Sequence, residues 1–170
     1  MRKLLILLVV AALTLVHATT FEALSFEDML AKAEIAFYGT VTATTVVEQD
    51  GEPWTQVSFE VLEPYRGVEE DSSSLELLFY GGQSATVNQQ VSLMPSFTVG
   101  EKLILFAYDA QYYSPIVGFN QGLWREMENG FRGEAGDLLS LEGEQLVLTG
   151  QGLSPEDLLT RMRQSFEVEP

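Results

Sequence analysis

Hydrophobic residues open the chain in an unbroken run from Leu4 to Val16, directly behind the basic residues Arg2 and Lys3. A basic stretch, a short apolar core and small residues at the −3 and −1 positions of a cleavage site after Ala18 are typical of a secretory signal peptide. The run is shorter than the roughly 20 residues that a membrane-spanning helix needs. The sequence therefore predicts a signal peptide over residues 1–18, with an uncleaved N-terminal anchor as the alternative.

Two amphipathic patterns predict helices near the two ends of the remaining chain. Ser25 stands three residues before Asp28, and this pair is a capping box ahead of apolar residues with helical spacing. Near the C-terminus, Ser154 precedes Pro155, an N-cap followed by a proline at the first helical position. We expect one short helix at each end of the mature domain.

Between these helices, β-branched and aromatic residues alternate with polar ones, which predicts strands over residues 35–45 and 55–61. The turn signal Gln49-Asp50-Gly51 predicts that these two strands form a hairpin, and Gly39 predicts a bulge in the first strand. The next strands are predicted over residues 75–80 and 102–108, and the second of these is apolar on both faces, which indicates a central position.

The pattern is less regular towards the C-terminus. A fifth strand is predicted over residues 112–119, near an edge because it contains Pro115. Residues 122–127 are predicted to extend the sheet. Residues 138–141 and 145–148 have the pattern of a hairpin, although the placement of residues 128–153 relative to the sheet stays open. No long linker interrupts the pattern, so residues 19–170 are predicted to form one domain.

Composition then limits the chemistry. The chain has 25 acidic and 9 basic residues and a formal net charge of −16, which opposes binding to nucleic acid or to anionic lipid through charge. It contains no cysteine, and its single histidine, His17, lies in the predicted signal peptide. Catalytic triads, zinc sites built on imidazole or thiolate, and haem ligation by these residues are therefore absent from the mature chain. We predict a non-enzymatic protein without a cofactor or a metal site.

Three weaker patterns compete with that prediction. Gly81-Gly82-Gln83-Ser84 is glycine-rich, but it lacks the lysine and spacing of a phosphate-binding loop. The segment Glu69 to Ser74 supplies oxygen atoms for a calcium ion without the alternating acidic pattern of a calcium loop. A pair of carboxylates for hydrolysis would come from the acidic residues Glu126, Glu128, Glu134 and Asp137. Turns and a solvated acidic surface are the preferred interpretations of all three.

Aromatic residues at strand ends and in loops are the candidate binding residues. Such residues pack more often in the core and at its rim, but a surface where several converge is suited to recognition. The candidate site residues are Trp54, Tyr65, Arg66, Tyr80, Tyr112, Tyr113 and Trp124. We expect several of them to meet at one mouth of a barrel, whereas Tyr65-Arg66-Gly67 is also suited to closing a corner of it.

The order of glycines and apolar strand positions over roughly residues 25–125 carries a resemblance. Its segments are Ala33 to Val41, Val57 to Glu63, Tyr65-Arg66-Gly67, Gly81-Gly82, Val99 to Phe106 and Val117 to Gly122. This order resembles a group of uncharacterised exported bacterial proteins and, more distantly, the TIMP/netrin-type module. The resemblance implies a mainly β fold, a small five-stranded OB-like barrel flanked by short N-terminal and C-terminal helices.

The resemblance implies a function only in outline. Inhibitors of the TIMP type coordinate the zinc ion of a metalloprotease through an N-terminal cysteine, and this chain has no cysteine. We therefore expect an exported binding module, in the periplasm or outside the cell, that engages another exported protein, with a protease as one candidate partner. The alternative is a protein that binds a small ligand or a divalent cation at the barrel mouth or in the acidic loops. A third hypothesis, from a different functional class, is a hydrolase.

Overall fold

The computed structural model describes residues 23–69, 72–83, 88–142, 145–149 and 152–167. The predicted signal peptide lies outside the described residues. In chain order the elements are α1 (Phe26–Lys32), β1 (Ile35–Gln49), β2 (Glu52–Arg66), β3 (Ser74–Tyr80), β4 (Gly82–Gln83), β5 (Asn88–Gln89), β6 (Lys102–Ala107), β7 (Leu123–Met127), β8 (Gly130–Gly133), β9 (Leu138–Glu142), β10 (Gln145–Thr149) and α2 (Pro155–Glu167). Neither of these helices is long and apolar enough to cross a membrane.

Eight of the strands form one antiparallel sheet in the order β10-β9-β8-β7-β6-β1-β2-β3, and β4 pairs with β5 separately. The predicted mainly β class is confirmed. Five side chains of β6 are fully buried, which confirms its predicted central position. The outermost strands β3 and β10 share no ladder within the described residues, so the sheet there is open.

The β1–β2 hairpin is the longest feature of the sheet. Its two-residue loop consists of Asp50 and Gly51, whose φ angles of 54° and 81° are those of the turn type that matches the strand twist. The register shifts between Tyr38 and Gly39, which is the predicted irregularity. A Cβ on Gly39 would lie 2.5 Å from the carbonyl oxygen of Glu60, so the two strands approach too closely for any other residue.

The hydrophobic core has two parts, one on each face of the sheet, because β1 and β6 are apolar in both directions. One part is built around Phe37, Phe59, Phe79 and Leu105. The other contains Phe106 and the residues that the two helices contribute. Burial on both faces is the usual condition of a central strand, and it explains why β6 has no alternating pattern.

Both helices cover the same face of the sheet. In α1, the Ser25 side chain accepts a hydrogen bond from the backbone of Asp28, and the Asp28 carboxylate accepts one in return, which confirms the predicted capping box. In α2, Ser154 accepts from the backbone of Asp157, and Leu158 and Met162 are buried. The first and last elements of the described chain therefore share one core.

The predicted strand over residues 112–119 is wrong. Within the described residues its only bridge joins Ile116 to Ala107, and one further hydrogen bond runs from the Tyr80 N–H to the Tyr113 carbonyl oxygen. The chain turns at Gly118 and Phe119, whose φ angles are 65° and 70°, so it cannot stay extended. The neighbouring place beside β6 is taken by β7, which confirms that residues 122–127 extend the sheet.

Residues 128–153, whose placement the sequence left open, join the same sheet. Strand β8 pairs with β7, and β9 pairs with both β8 and β10. The predicted hairpin of residues 138–141 and 145–148 is confirmed in its strands, while its turn at residues 143–144 lies outside the described residues. The region thus adds three strands to the sheet.

Candidate functional site

Three aromatic rings from three separate segments meet beside the β1–β2 turn. Trp54 near the start of β2 is the direct cross-strand partner of Tyr80 at the end of β3, and their ring centroids are 5.2 Å apart. The ring of Tyr113 lies 4.6 Å from that of Tyr80 and 6.3 Å from that of Trp54. Aromatic pairs at these separations stabilise one another beyond their buried area. The three rings therefore form one cluster.

The loop that carries Tyr113 is tied to the sheet by its backbone and by a side chain. The backbone N–H of Tyr80 donates to the carbonyl oxygen of Tyr113 at 2.7 Å. The side-chain amide of Gln111 donates to that of Gln49 at 3.1 Å. Tyr112 packs against Tyr108 with ring centroids 5.2 Å apart. Since the loop is held at several points, Tyr112 and Tyr113 are presented in a fixed orientation.

These residues line a shallow depression of about 540 Å³. We call it the tip surface, and it consists of Gln49, Asp50, Glu52, Trp54, Tyr80, Gln111, Tyr112 and Tyr113. Tyr112 is 53% exposed and Tyr113 is 64% exposed, although both are large and aromatic. Exposed tyrosines in a polar setting are typical of recognition surfaces.

The tip surface has acidic groups and no basic one. Asp50 and Glu52 both line it and are exposed. The Tyr80 hydroxyl donates to a Glu52 carboxylate oxygen at 2.9 Å, and this hydrogen bond raises the pKa of Tyr80 above its ordinary value. Because Tyr80 stays protonated, it fixes the position of the Glu52 carboxylate beside the rings.

Two of the sequence-predicted site residues, Tyr65 and Arg66, lie far from the tip surface, at the opposite end of β2. Trp54 and Tyr65 are eleven positions apart on β2, which corresponds to at most about 36 Å of extended strand. The Tyr65 ring stacks on that of Phe166 at 5.4 Å, and burial raises the pKa of its hydroxyl. Arg66 donates to the carbonyl oxygens of Leu30 and Ala33 at 2.6 and 2.9 Å. Both side chains thus join helices to the sheet, which agrees with the alternative of a structural corner.

Trp124 is the third candidate site residue that lies outside the tip surface. Only 3% of this residue is exposed, and it packs in the core beneath the helices. It also lines a second cavity of about 370 Å³, together with Leu24, Leu93 and Gln121. The structure therefore brings together Trp54, Tyr80, Tyr112 and Tyr113 and separates the other three candidates from them.

Two of the four acidic residues considered for hydrolysis, Glu126 and Glu134, are engaged in structural contacts. The Tyr38 hydroxyl donates to Glu126 at 2.6 Å, and burial together with this bond raises the pKa of Tyr38. Arg125 forms ion pairs with Glu101 at 3.1 Å and with Glu134. Across the part of the chain that the structure describes, no three acidic side chains come close enough to hold a metal ion.

The other two weak patterns lie partly outside the described residues. Residues 70–71 of the acidic segment and residue Ser84 of the glycine-rich segment are not described. In the part that is described, the Gly81 carbonyl oxygen accepts a hydrogen bond from the Thr55 hydroxyl at 2.9 Å, and the Gly81 N–H donates to Pro53. Gly81 therefore joins β3 to the neighbouring strand β2.

Sequence reasoning missed the polar members of the tip surface, Gln49, Glu52 and Gln111. A signal for two of them was present, because the predicted Asp50-Gly51 turn places residues 49 and 52 opposite each other, as the register confirms. Gln111 had no such signal, since its position depends on the path of the loop before Pro115 relative to the β1–β2 turn.

Comparison with known proteins gives no match of any of three kinds. No family model matches the sequence, no curated protein is similar to it, and no solved structure matches its fold.

Proposed function

We propose that this chain is a non-enzymatic, exported binding module whose tip surface engages another exported protein. The observation that carries the proposal is the group of Trp54, Tyr80, Tyr112 and Tyr113 beside the β1–β2 turn, in which the first two rings are half-buried and the last two are exposed. Tyrosine and tryptophan are enriched among the residues that dominate binding energy in protein interfaces. Export rests on the apolar run behind Arg2 and Lys3.

The resemblance to the OB-like TIMP/netrin module stays part of this proposal. The five strands β1, β2, β3, β6 and β7 correspond to the five predicted for the barrel, except that β7 replaces the strand expected over residues 112–119. An OB fold is a partly open five-stranded barrel, which is compatible with the free edge of β3. A protease remains a candidate partner on the resemblance alone.

The test is capture of a partner with a surface variant and a matched control. Tyr113→Ser removes an exposed ring of the tip surface, and Val99→Ser removes a residue of similar exposure, 60%, elsewhere. We expect the unaltered protein and Val99→Ser to capture the same partner from envelope and secreted fractions of the source. Tyr113→Ser should weaken that binding about fivefold or more.

Two results would count against the proposal. Equal capture by Tyr113→Ser and Val99→Ser would show that the tip surface is not the binding site. Capture of no protein by the folded, unaltered chain would contradict the proposal that its partner is a protein.

A second candidate function is the binding of a small amphiphile, with an apolar body and a hydrogen-bond acceptor, in the cavity of about 370 Å³ beside Trp124. The observation that favours it is the buried indole N–H of Trp124, which has no hydrogen-bond partner among the described residues. A ligand that binds only the folded protein raises the melting temperature, and the rise grows with the logarithm of its concentration once that exceeds the Kd. A screen of small amphiphiles that leaves the melting temperature unchanged would dismiss this function.

A further inference from the structure

The charge of the tip surface restricts what it can bind. Eight residues line it, two of which carry carboxylates, and none is a lysine or arginine. Asp50 lies in the two-residue turn, and Glu52 is the first residue of β2 directly after it. With a formal net charge of −16, the whole protein attracts positive partners at long range. An acidic or neutral-apolar partner would leave these carboxylates without compensation.

Aromatic rings beside carboxylates are suited to a positive side chain for two reasons. The face of an aromatic ring attracts a guanidinium or ammonium group that lies within about 6 Å of its centre. A carboxylate then accepts hydrogen bonds from the same group, and arginine can use its planar donors for both contacts at once. In the tip surface the Tyr80 hydroxyl donates to the Glu52 carboxylate, so this carboxylate lies beside the ring cluster and one side chain can reach both.

From this combination we infer that the tip surface binds a basic segment of the partner protein, with an arginine side chain seated on the exposed rings and paired with the carboxylates of Glu52 and Asp50. The inference rests on the proposed function, because it names the chemistry of the partner that the same surface engages. The rings of Trp54 and Tyr80 meet at 73° and those of Tyr80 and Tyr113 at 42°, so the arginine side chain lies on the most exposed of these rings, that of Tyr113.

The test uses synthetic peptides and the two tryptophans of the chain. The first peptide contains arginines separated by glycine and serine, and its matched control replaces each arginine by citrulline, which has the same shape and no charge. Binding is followed by the ¹H–¹⁵N signals of the two indole N–H groups. Trp54 lies in the tip surface and Trp124 in the core, so the second signal is an internal reference.

We expect the arginine peptide to shift the indole signal of Trp54 and to leave that of Trp124 in place. Binding of the citrulline peptide should be weaker by about fivefold, the contribution of the positive charge. Glu52→Gln keeps an acceptor for the Tyr80 hydroxyl. This variant should weaken binding of the arginine peptide and leave binding of the citrulline peptide unchanged, whereas Val99→Ser should change neither. Added salt should also weaken binding of the arginine peptide, because it screens exposed charges.

Three results would overturn the inference. Equal shifts of the Trp54 signal with both peptides would mean that the tip surface binds neutral groups as well as it binds arginine. A shift of the Trp54 signal by maltohexaose, with no effect of the arginine peptide, would make the occupant a neutral sugar. Loss of the arginine-induced shift when the protein is diluted at constant peptide concentration would mean that a second copy of the chain takes part in the site.

The capture experiment separates this inference from the proposed function. If capture depends on Tyr113 while the two peptides bind equally well, the inference of a basic segment is wrong and the proposed binding function is retained. If capture does not depend on Tyr113, the proposed function fails, and an arginine-specific shift at Trp54 would then still support a cation-binding surface.

Discussion

Replacement of Arg66 by alanine tests whether this residue is structural, as its contacts indicate, or part of a binding surface, as its sequence suggested. Its guanidinium donates to two carbonyl oxygens at the C-terminal end of α1, at 2.6 and 2.9 Å, and lies 5.0 Å above the ring centre of Phe166 in α2. One side chain thus connects the sheet to both helices.

The magnitude follows from these contacts. A hydrogen bond from a charged donor contributes about 1.5–3 kcal/mol when buried, and partial exposure of Arg66 reduces each of the two to about 1 kcal/mol. The contact with the Phe166 ring adds about 0.5 kcal/mol. We therefore expect Arg66→Ala to lower the free energy of unfolding by about 2–3 kcal/mol, which in a chain of this length lowers the melting temperature by about 5–10 °C.

The assay is urea unfolding followed by circular dichroism, with two further variants. Arg66→Lys should recover less than half of the loss, because an ammonium group on a flexible stem does not reproduce the planar donor arrangement. Arg132→Ala removes an exposed arginine and should change stability by no more than about 0.5 kcal/mol. The reasoning would be refuted if Arg66→Ala were as stable as Arg132→Ala, or if it abolished partner capture while its stability stayed unchanged.

Three further predictions concern the fold. Gly39→Ala should destabilise the protein by about 2 kcal/mol or more in urea unfolding, because the added Cβ meets the Glu60 carbonyl oxygen; an unchanged midpoint would contradict the close approach. Leu158→Ala should cost about 2–5 kcal/mol, since this α2 side chain is fully buried, and a loss below about 1 kcal/mol would mean that α2 is not packed on the sheet. Hydrogen bonds to Ser25 lower the pKa of Asp28, so its contribution to stability is present above the ordinary value of 3.8 and is lost as the pH falls through the lowered pKa. Asp28→Asn should therefore flatten stability against pH in the acid range, and an unaltered profile would argue against the cap.

The elements that the sequence predicted well are those whose signals are local. The Ser25 and Ser154 caps, the Asp50-Gly51 turn and the doubly apolar β6 depend on a few neighbouring residues, and all are present. The strand expected over residues 112–119 failed because its residues have high β-propensity while Gly118 directs a turn. Propensity describes how a side chain fits a sheet, and it does not say whether a place in the sheet is vacant.

The candidate site was predictable only in its residue types. Trp54 and Tyr80 meet because of the register between β2 and β3, which a sequence pattern does not specify for a strand with a long preceding loop. Tyr65 lies on the same strand as Trp54 and has the same kind of side chain, yet the C-terminal helix covers it through Phe166. The difference between a binding aromatic and a packing aromatic is thus decided by contacts between distant parts of the chain.

The order of the strands has a consequence for how the protein folds. Strands β1 to β3 each pair with the next strand along the chain, and so do β6 to β10, so each half forms from contacts between successive strands. The halves are joined by one ladder, in which Ile35 pairs with Ala107 and Thr40 with Lys102, about 60–70 positions apart. Contacts at such separations are slow to form because a long loop must be closed first. We expect the joining of β1 to β6 to limit the folding rate, with the two halves as early, partly ordered units.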